Sequence, residues 1–196
     1  MSPSKSFLSW NFTLDTMDIT VAVIIGVITA VYTTYVPLYL LETFFLSMGV
    51  YGWMAFYLYE GIYFVLFTTA GWLRKKAGVM MLAGVVTGFI DYLLGVPEGP
   101  LLMLMLFSGG LVAGIFLHFV NWKKDFLTTW IAGGLFFLAE ETLFFFGTGW
   151  WPESTIEIIG VYVIGFITNG IITGYVSRLL ATALTKAGIT EVNIET

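Results

Sequence analysis

Hydrophobic residues fill long, uninterrupted runs along this chain, and short polar or Gly/Pro-containing segments separate the runs. The runs cover 19–41, 53–73, 77–94, 100–120, 126–146 and 156–183. About 20 apolar residues in an α-helix cross a hydrocarbon core of roughly 30 Å. Continuous runs favour helices over a β-barrel, whose strands alternate polar and apolar positions. The pattern predicts an all-α integral membrane protein, a bundle of six transmembrane helices.

The middle of the chain shows the clearest helix pair. The letters LRKKAG precede the third run, GVPEGP separates it from the fourth, and the fourth contains GGLVAG. Pro97 removes a backbone donor, and Gly95 and Gly99 allow backbone conformations that other residues avoid. The chain is therefore expected to reverse here, in a short outer loop between two membrane helices.

Charge predicts the orientation of the bundle. Charged residues make up 11% of the chain, against about 25% in a typical soluble domain, which supports the membrane assignment. All Lys and Arg residues fall outside the runs or at one set of their ends: Lys5, Arg74, Lys75, Lys76, Lys123, Lys124, Arg178 and Lys186. Since positive residues mark the cytoplasmic side, we expect a multi-pass plasma-membrane protein with both termini cytoplasmic. The expected division is an interfacial arm (1–16), a six-span domain (17–184) and a cytoplasmic tail (185–196).

Several kinds of site have no support in the sequence. The chain has no Cys and a single His, so disulfides, thiolate sites and multi-His metal sites are excluded. The motifs HExxH, GxSxG and GxxxxGK[ST] are absent. We therefore expect no catalytic residues, no metal site and no cofactor in this chain, and no binding of nucleic acid.

Acidic residues in or near the apolar runs are the strongest candidates for function. They are Glu42, Glu60, Asp91, Glu140 and Glu141. An ionised carboxylate at a helix centre costs about 2.5–3.5 kcal/mol on insertion scales, and no basic residue is expected at the same depth. The functional interpretation is a site, open to the outside, for a cationic or hydrogen-bond-donating small molecule. The alternative is that these acids are protonated or contact water at the interface.

Aromatic residues near the outer helix ends add to this hypothesis, because a cation gains from both carboxylates and aromatic faces. Glu140 and Glu141 are adjacent and point about 100° apart on a helix, so we expect only one of them to line a cavity. The predicted ligand-binding residues are Trp53, Tyr57, Glu60, Tyr63, Asp91, Glu140, Trp150 and Trp151.

Three small residues form a stripe on the first predicted helix. Ala22, Gly26 and Ala30 are spaced four apart and share one face, where another helix backbone can approach closely. The stripe fits either packing inside the chain or docking of another membrane subunit. Asp15, Thr16 and Asp18 are candidate caps at the start of this helix.

Four stretches resemble a known family. They are Glu60-Gly61-Ile62-Tyr63-Phe64, Leu73-Arg74-Lys75-Lys76-Ala77-Gly78, Leu94-Gly95-Val96-Pro97-Glu98-Gly99-Pro100 and Gly110-Leu111-Val112-Ala113. Together they resemble the substrate-binding subunits, or S components, of energy-coupling-factor (ECF) transporters, and among them the YkoE-like family associated with thiamine and hydroxymethylpyrimidine. The resemblance implies a non-enzymatic capture subunit in the bilayer, a coupling transmembrane subunit docked on Ala22, Gly26 and Ala30, and separate ATPase subunits that use ATP.

Two other functions remain open from the sequence. The chain could be a non-catalytic subunit of a larger membrane complex, for example a respiratory assembly, in which small and aromatic residues mediate packing. It could also be a proton- or cation-coupled carrier that uses Glu60 and Glu140.

Overall fold

A computed structural model describes residues 12–35, 44–45, 47–96, 99–149, 152 and 154–188. Within these ranges the side chains of residues 35, 50–51, 53–55 and 58–60 lie outside the described part. The described chain is helical and contains no β-strand. Its elements are α1 (Thr16–Tyr35), α2 (Val50–Arg74), α3 (Ala77–Leu93), α4 (Gly99–Phe119), α5 (Phe126–Thr148), α6 (Thr155–Asn169), a π-helical segment (Gly170–Val176) and α7 (Ser177–Lys186).

The last three elements follow one another without a break, so the described chain forms six helical rods, as the hydrophobic runs predict. Within the described ranges, four rods are long and apolar enough to cross a membrane: Thr16–Thr34, Gly99–Phe119, Phe126–Thr148 and Thr155–Lys186. α3 is an apolar helix of 17 residues. Many large apolar side chains on the outside of the bundle are exposed, among them Ile24, Leu104 and Ile156. Such a surface suits contact with lipid.

Local sequence explains where two of the helices, α1 and α5, begin. Asp15 caps α1: the Asp18 N–H donates to Asp15 Oδ1 (2.8 Å), and the Asp15 N–H donates to Asp18 Oδ2 (2.9 Å). Of the three predicted caps, Asp15 is therefore the one that is confirmed. Asp125 caps α5, because its carboxylate accepts hydrogen bonds from the backbone N–H and the hydroxyl of Thr128. These two hydrogen bonds hold the pKa of the Asp125 carboxyl below its usual range.

α3 and α4 form the predicted hairpin. Glycines let the two helices approach closely, because a Cβ at Gly84 would lie 2.6 Å from Leu106 Cβ and one at Gly88 would lie 2.6 Å from the Met103 nitrogen. The chain turns at Gly95, whose φ of 91° suits glycine. The predicted turn residue Pro97 lies outside the described residues.

The helices close into a ring in the order α1, α3, α4, α5, the last rod and α2. At the centre lies a cluster of buried apolar residues, called here the central core cluster. Its members are Ala22, Phe64, Phe67, Ala70, Val79, Ala83, Leu106, Ala113 and Phe136. On one side of this cluster lies the end of the bundle with the described basic residues at 74–76, 123–124, 178 and 186, called here the basic end. The opposite side, called the acid-rich half, holds Asp91, Glu140 and Glu141.

The small-residue stripe of α1 packs inside the chain. Ala22 and Ala30 are fully buried, and a Cβ at Gly26 would lie 2.8 Å from both the Ala83 carbonyl oxygen and Val86 Cβ of α3. The prediction that this stripe docks another subunit is therefore wrong, because α3 already covers the face. A sequence pattern of small residues indicates close helix packing but does not indicate which helix is the partner.

Candidate functional site

Asp91, on the last turn of α3, lies in the acid-rich half and is 1% exposed. Its Oδ1 accepts hydrogen bonds from the hydroxyls of Thr33 (3.0 Å) and Thr34 (3.1 Å), both on α1. Its Oδ2 is buried and has no hydrogen-bond partner among the described residues. One oxygen of this carboxyl thus joins two helices, and the other is left for a further donor.

Glu140 and Glu141 lie side by side on α5 and are 1% and 2% exposed. The Tyr57 hydroxyl donates to Glu141 Oε1 at 2.5 Å, whereas Glu140 Oε2 is buried without a partner among the described residues. The expectation that only one of the pair lines a cavity stays a prediction, since burial alone does not test it. Both are buried although they point about 100° apart, because α5 packs against α2, α4 and the last rod on different sides.

The central core cluster fixes the depth of these acids. Phe136 of α5 packs against Phe64 of α2, with ring centroids 5.0 Å apart. Glu140 lies one helical turn beyond Phe136, away from the basic end, and residue 60 lies one turn before Phe64 on the same side. Asp91 lies two turns beyond Ala83, a cluster residue of α3. The carboxyls are therefore separated from the basic end by a layer of apolar side chains.

The other candidate site residues fall into three groups, according to how much of each residue the structure describes. Tyr63 packs its ring against Phe64 and Phe67 and lies beside the central core cluster. It is six residues from Tyr57, about 240° around α2, so the two tyrosines serve different faces. Trp53 and Glu60 belong to α2, but their side chains fall outside the described part. Glu42, Trp150 and Trp151 lie outside the described residues altogether.

The basic end pairs its buried charges. Asp18 is fully buried and accepts from Arg74 Nε and from Lys76 Nζ, each at 2.5 Å. Asp15 adds a contact to Arg74 Nη2 at 3.1 Å. From the sequence, Arg74 and Lys76 are expected to mark the cytoplasmic side and form part of the motif at 73–78, with no carboxylate partner predicted for either. In the fold, both cations form ion pairs with Asp15 and Asp18 at the start of α1. They therefore do not neutralise the carboxyls of the acid-rich half.

Sequence reasoning missed a buried polar seam between α2 and the last rod. Its members are Thr68, Asn169, Thr173 and Ser177, each at most 4% exposed. The Thr173 hydroxyl lies 3.0 Å from the Gly61 carbonyl oxygen, and Asn169 Nδ2 lies 3.5 Å from the Tyr57 carbonyl oxygen. The signal that could have indicated the seam is the four-residue spacing of Asn169, Thr173 and Ser177 in an apolar run.

Comparison with known proteins places the chain among transport components. A family model described as "ABC-type cobalt transport system, permease component" matches residues 17–139. YkoE of Bacillus subtilis (strain 168), which is named as an HMP/thiamine permease protein, is 24% identical over 170 residues, or 85% of this chain and 84% of that protein. A crystal structure described as an S-component of an ECF transporter superposes with a TM-score of 0.74 at 21% identity, covering 90% of this chain and 88% of that one. The S-component likeness predicted from the central motifs thus extends to the whole fold.

Proposed function

Because the chain belongs to the family described as ABC-type cobalt transport system, permease component, we propose that it is the substrate-capture subunit of an ECF-type importer. In this role it binds a small molecule and performs no chemistry. A coupling transmembrane subunit and ATPase subunits on separate chains supply the energy. Neither a respiratory subunit nor a carrier that acts alone is favoured by the family match.

The observation that carries this proposal is the set of buried carboxyls in the acid-rich half. Asp91 Oδ2 and Glu140 Oε2 are both buried without a partner among the described residues. A buried carboxyl oxygen without a donor is costly, so we infer that a ligand donor supplies what the described chain does not. The proposed site also includes Tyr57, Glu60 and Glu141, and Trp53, Trp150 and Trp151 remain proposed members at its mouth.

The chemistry of the site favours an organic ligand. Transition metals such as cobalt are well bound by imidazole and thiolate ligands, and the chain has one His and no Cys. Thiamine, in contrast, carries a permanent positive charge and an aminopyrimidine ring with hydrogen-bond donors. A cation beside Glu140 and the Tyr57 ring would gain from both. We therefore propose thiamine or hydroxymethylpyrimidine, named for the Bacillus relative, as the first ligands to test.

The direction of capture follows from charge. With the basic end in the cytoplasm, both termini are cytoplasmic and the acid-rich half faces outwards. The cysteine-free chain makes this testable in intact cells. A single cysteine at Thr155→Cys, in the acid-rich half, is expected to react with a membrane-impermeant maleimide, and one at Lys124→Cys is expected to react only after the cells are opened. The reverse pattern would overturn the proposed orientation.

Binding to the purified chain is the direct test. Isothermal titration calorimetry with thiamine and with hydroxymethylpyrimidine is expected to show saturable binding of at least one compound. Glu140→Gln and Glu60→Gln are expected to weaken it. If neither compound binds, and no ATPase subunits co-purify from native membranes, the capture role is wrong.

A further inference from the structure

The π-helical segment lies where the last rod meets α2 and α5. Helix backbones touch here without intervening side chains: a Cβ at Gly174 would lie 1.9 Å from the Thr129 carbonyl oxygen, and one at Gly133 would lie 2.5 Å from the Gly174 nitrogen. In the last turn of α6, just before the segment, the Ile167 carbonyl oxygen accepts a hydrogen bond from Trp130 Nε1 at 3.2 Å. The segment is thus held tightly from the α5 side.

On the α2 side the contact is polar and dense. Thr173 Oγ1 lies 3.0 Å from the Gly61 carbonyl oxygen and 3.1 Å from Asn169 Oδ1, so its single proton is shared between two acceptors. Thr68 Oγ1 lies 3.0 Å from the Thr173 carbonyl oxygen and is also in hydrogen-bond contact with the Ser177 hydroxyl. This face of α2 is therefore fixed by specific hydroxyl and amide contacts and not by apolar packing alone.

The π-helical geometry explains how three residues reach the same neighbour. In an α-helix, residues four apart are offset by about 40°, so Ser177 would lie about 80° away from Asn169. A π-helical turn is wider, so each residue rotates less and the offset is reduced. Asn169, Thr173 and Ser177 can then all face α2, as their hydrogen bonds show.

The stretch of α2 that the seam holds is the one that carries the proposed site. Asn169 Nδ2 reaches the Tyr57 carbonyl oxygen, and Thr173 reaches the Gly61 carbonyl oxygen one turn later. Tyr57 in turn donates its hydroxyl to Glu141. We propose that Asn169 and Thr173 are positioning residues: they hold α2 in the register that sets Tyr57 against Glu141. This inference rests on the proposed capture function.

The first test is ligand affinity, measured by calorimetry with thiamine and hydroxymethylpyrimidine on the purified chain. Thr173→Val keeps the side-chain shape and removes the hydroxyl, and it is expected to weaken binding about fivefold to tenfold, the effect of one buried hydrogen bond. Thr173→Ser restores the hydroxyl and should restore affinity. Thr182→Val is the matched control, since the hydrogen bond described for Thr182 is to the Arg178 carbonyl oxygen of its own helix and none of those among the described residues joins it to α2. Unchanged affinity in Thr173→Val would overturn the proposal.

A second test does not depend on the ligand. The hydroxyls of Thr68 and Ser177 are in contact, so Thr68→Cys and Ser177→Cys in this cysteine-free chain should form a disulfide rapidly under mild oxidation. Adding Thr173→Val is expected to slow the reaction several-fold, whereas adding Thr182→Val is not. An unchanged rate would overturn the positioning role whatever the affinities are. If the parent chain binds neither compound while Thr173→Val slows the reaction, the proposed function fails and the structural role of Thr173 stands.

Discussion

At the basic end, Asp18 lies fully buried with two cations at 2.5 Å. In the acid-rich half, Glu140 is just as buried, yet one of its oxygens has no partner among the described residues. The two carboxyls belong to the same bundle and lie on opposite sides of the central core cluster. Burial alone therefore does not separate the two carboxyls, and what differs between them is the presence of an internal counter-charge.

The contrast also explains why the two ends can serve different roles. A buried ion pair that satisfies its own hydrogen bonds fixes the helices that carry it, and here it ties the start of α1 to the turn between α2 and α3. A buried carboxyl with a free oxygen is costly to the empty protein. In the proposed function, a ligand that supplies the missing donor would recover that cost, which is the basis for placing capture in the acid-rich half.

The largest expected effect is a loss of stability at the basic end. Asp18→Asn removes the charge between Arg74 and Lys76, and breaking a buried pair costs about 3–5 kcal/mol of stability. We expect a large fall in the unfolding temperature of the purified chain in detergent. Asp15→Asn is the control, because the Asp15 side chain is 55% exposed and its loss should cost about 1 kcal/mol or less. Equal, small shifts for both variants would contradict the assignment of Asp18 as a structural charge.

Glu140→Gln should behave in the opposite way. It removes a carboxyl that has no cation, so the free energy of unfolding should stay within about 1 kcal/mol of the parent or rise. Ligand affinity should fall at least about tenfold, because a hydrogen bond to a charged group contributes about 1.5–3 kcal/mol. Calorimetry and thermal unfolding on the same sample check both parts. Glu157→Gln, at the start of α6, is the control, and a loss of stability without a loss of binding would assign Glu140 to the fold.

Tyr57→Phe is expected to have an intermediate effect. It leaves Glu141 Oε1 without the hydroxyl that donates at 2.5 Å, and an unsatisfied buried acceptor costs about 1–3 kcal/mol. Tyr162→Phe is matched, since the Tyr162 hydroxyl contacts only the neutral Thr142 hydroxyl at 3.1 Å among the hydrogen bonds described. Thermal unfolding should therefore show a larger loss for the first variant. Equal losses would mean that the carboxyl of Glu141 gives the contact no additional strength.

The positions of the helices could be predicted from the sequence, because each long hydrophobic run corresponds to one helix. α3 was expected over 77–94 and is Ala77–Leu93, and α4 was expected over 100–120 and is Gly99–Phe119. Runs of this length have few alternatives in a membrane, since every backbone polar group must be satisfied inside its own helix. The acids could be recognised for the same reason, because a carboxyl in such a run is rare.

The partners of those side chains could not be predicted. Arg74 and Asp18 are 56 residues apart and meet only because α1 packs beside α2 and α3. Nothing in the local pattern indicates the π-helical segment either, because the run around Gly170 is apolar in the same way as an ordinary membrane helix. Both features depend on how the helices pack against each other. A single sequence indicates which face of a helix is apolar or polar, but it does not indicate which other helix packs against that face.

Asp91→Asn is expected to have a small effect on folding and a weaker effect on ligand affinity than Glu140→Gln, so it tests whether Asp91 resembles Glu140 or Asp18. The amide oxygen can accept from Thr33 and Thr34 as Asp91 Oδ1 does, so stability should change by about 1 kcal/mol or less. Binding of a cationic ligand should weaken, but less than in Glu140→Gln, because the two hydroxyls already share the Asp91 charge. Thr34→Val, which removes one of those hydroxyls and keeps the carboxyl, should lower stability slightly and leave affinity nearly unchanged. A loss of stability as large as that of Asp18→Asn would show that Asp91 is a structural group, as Asp18 is. The carboxyls of the two halves would then differ in whether a cation pairs with them, and not in their role.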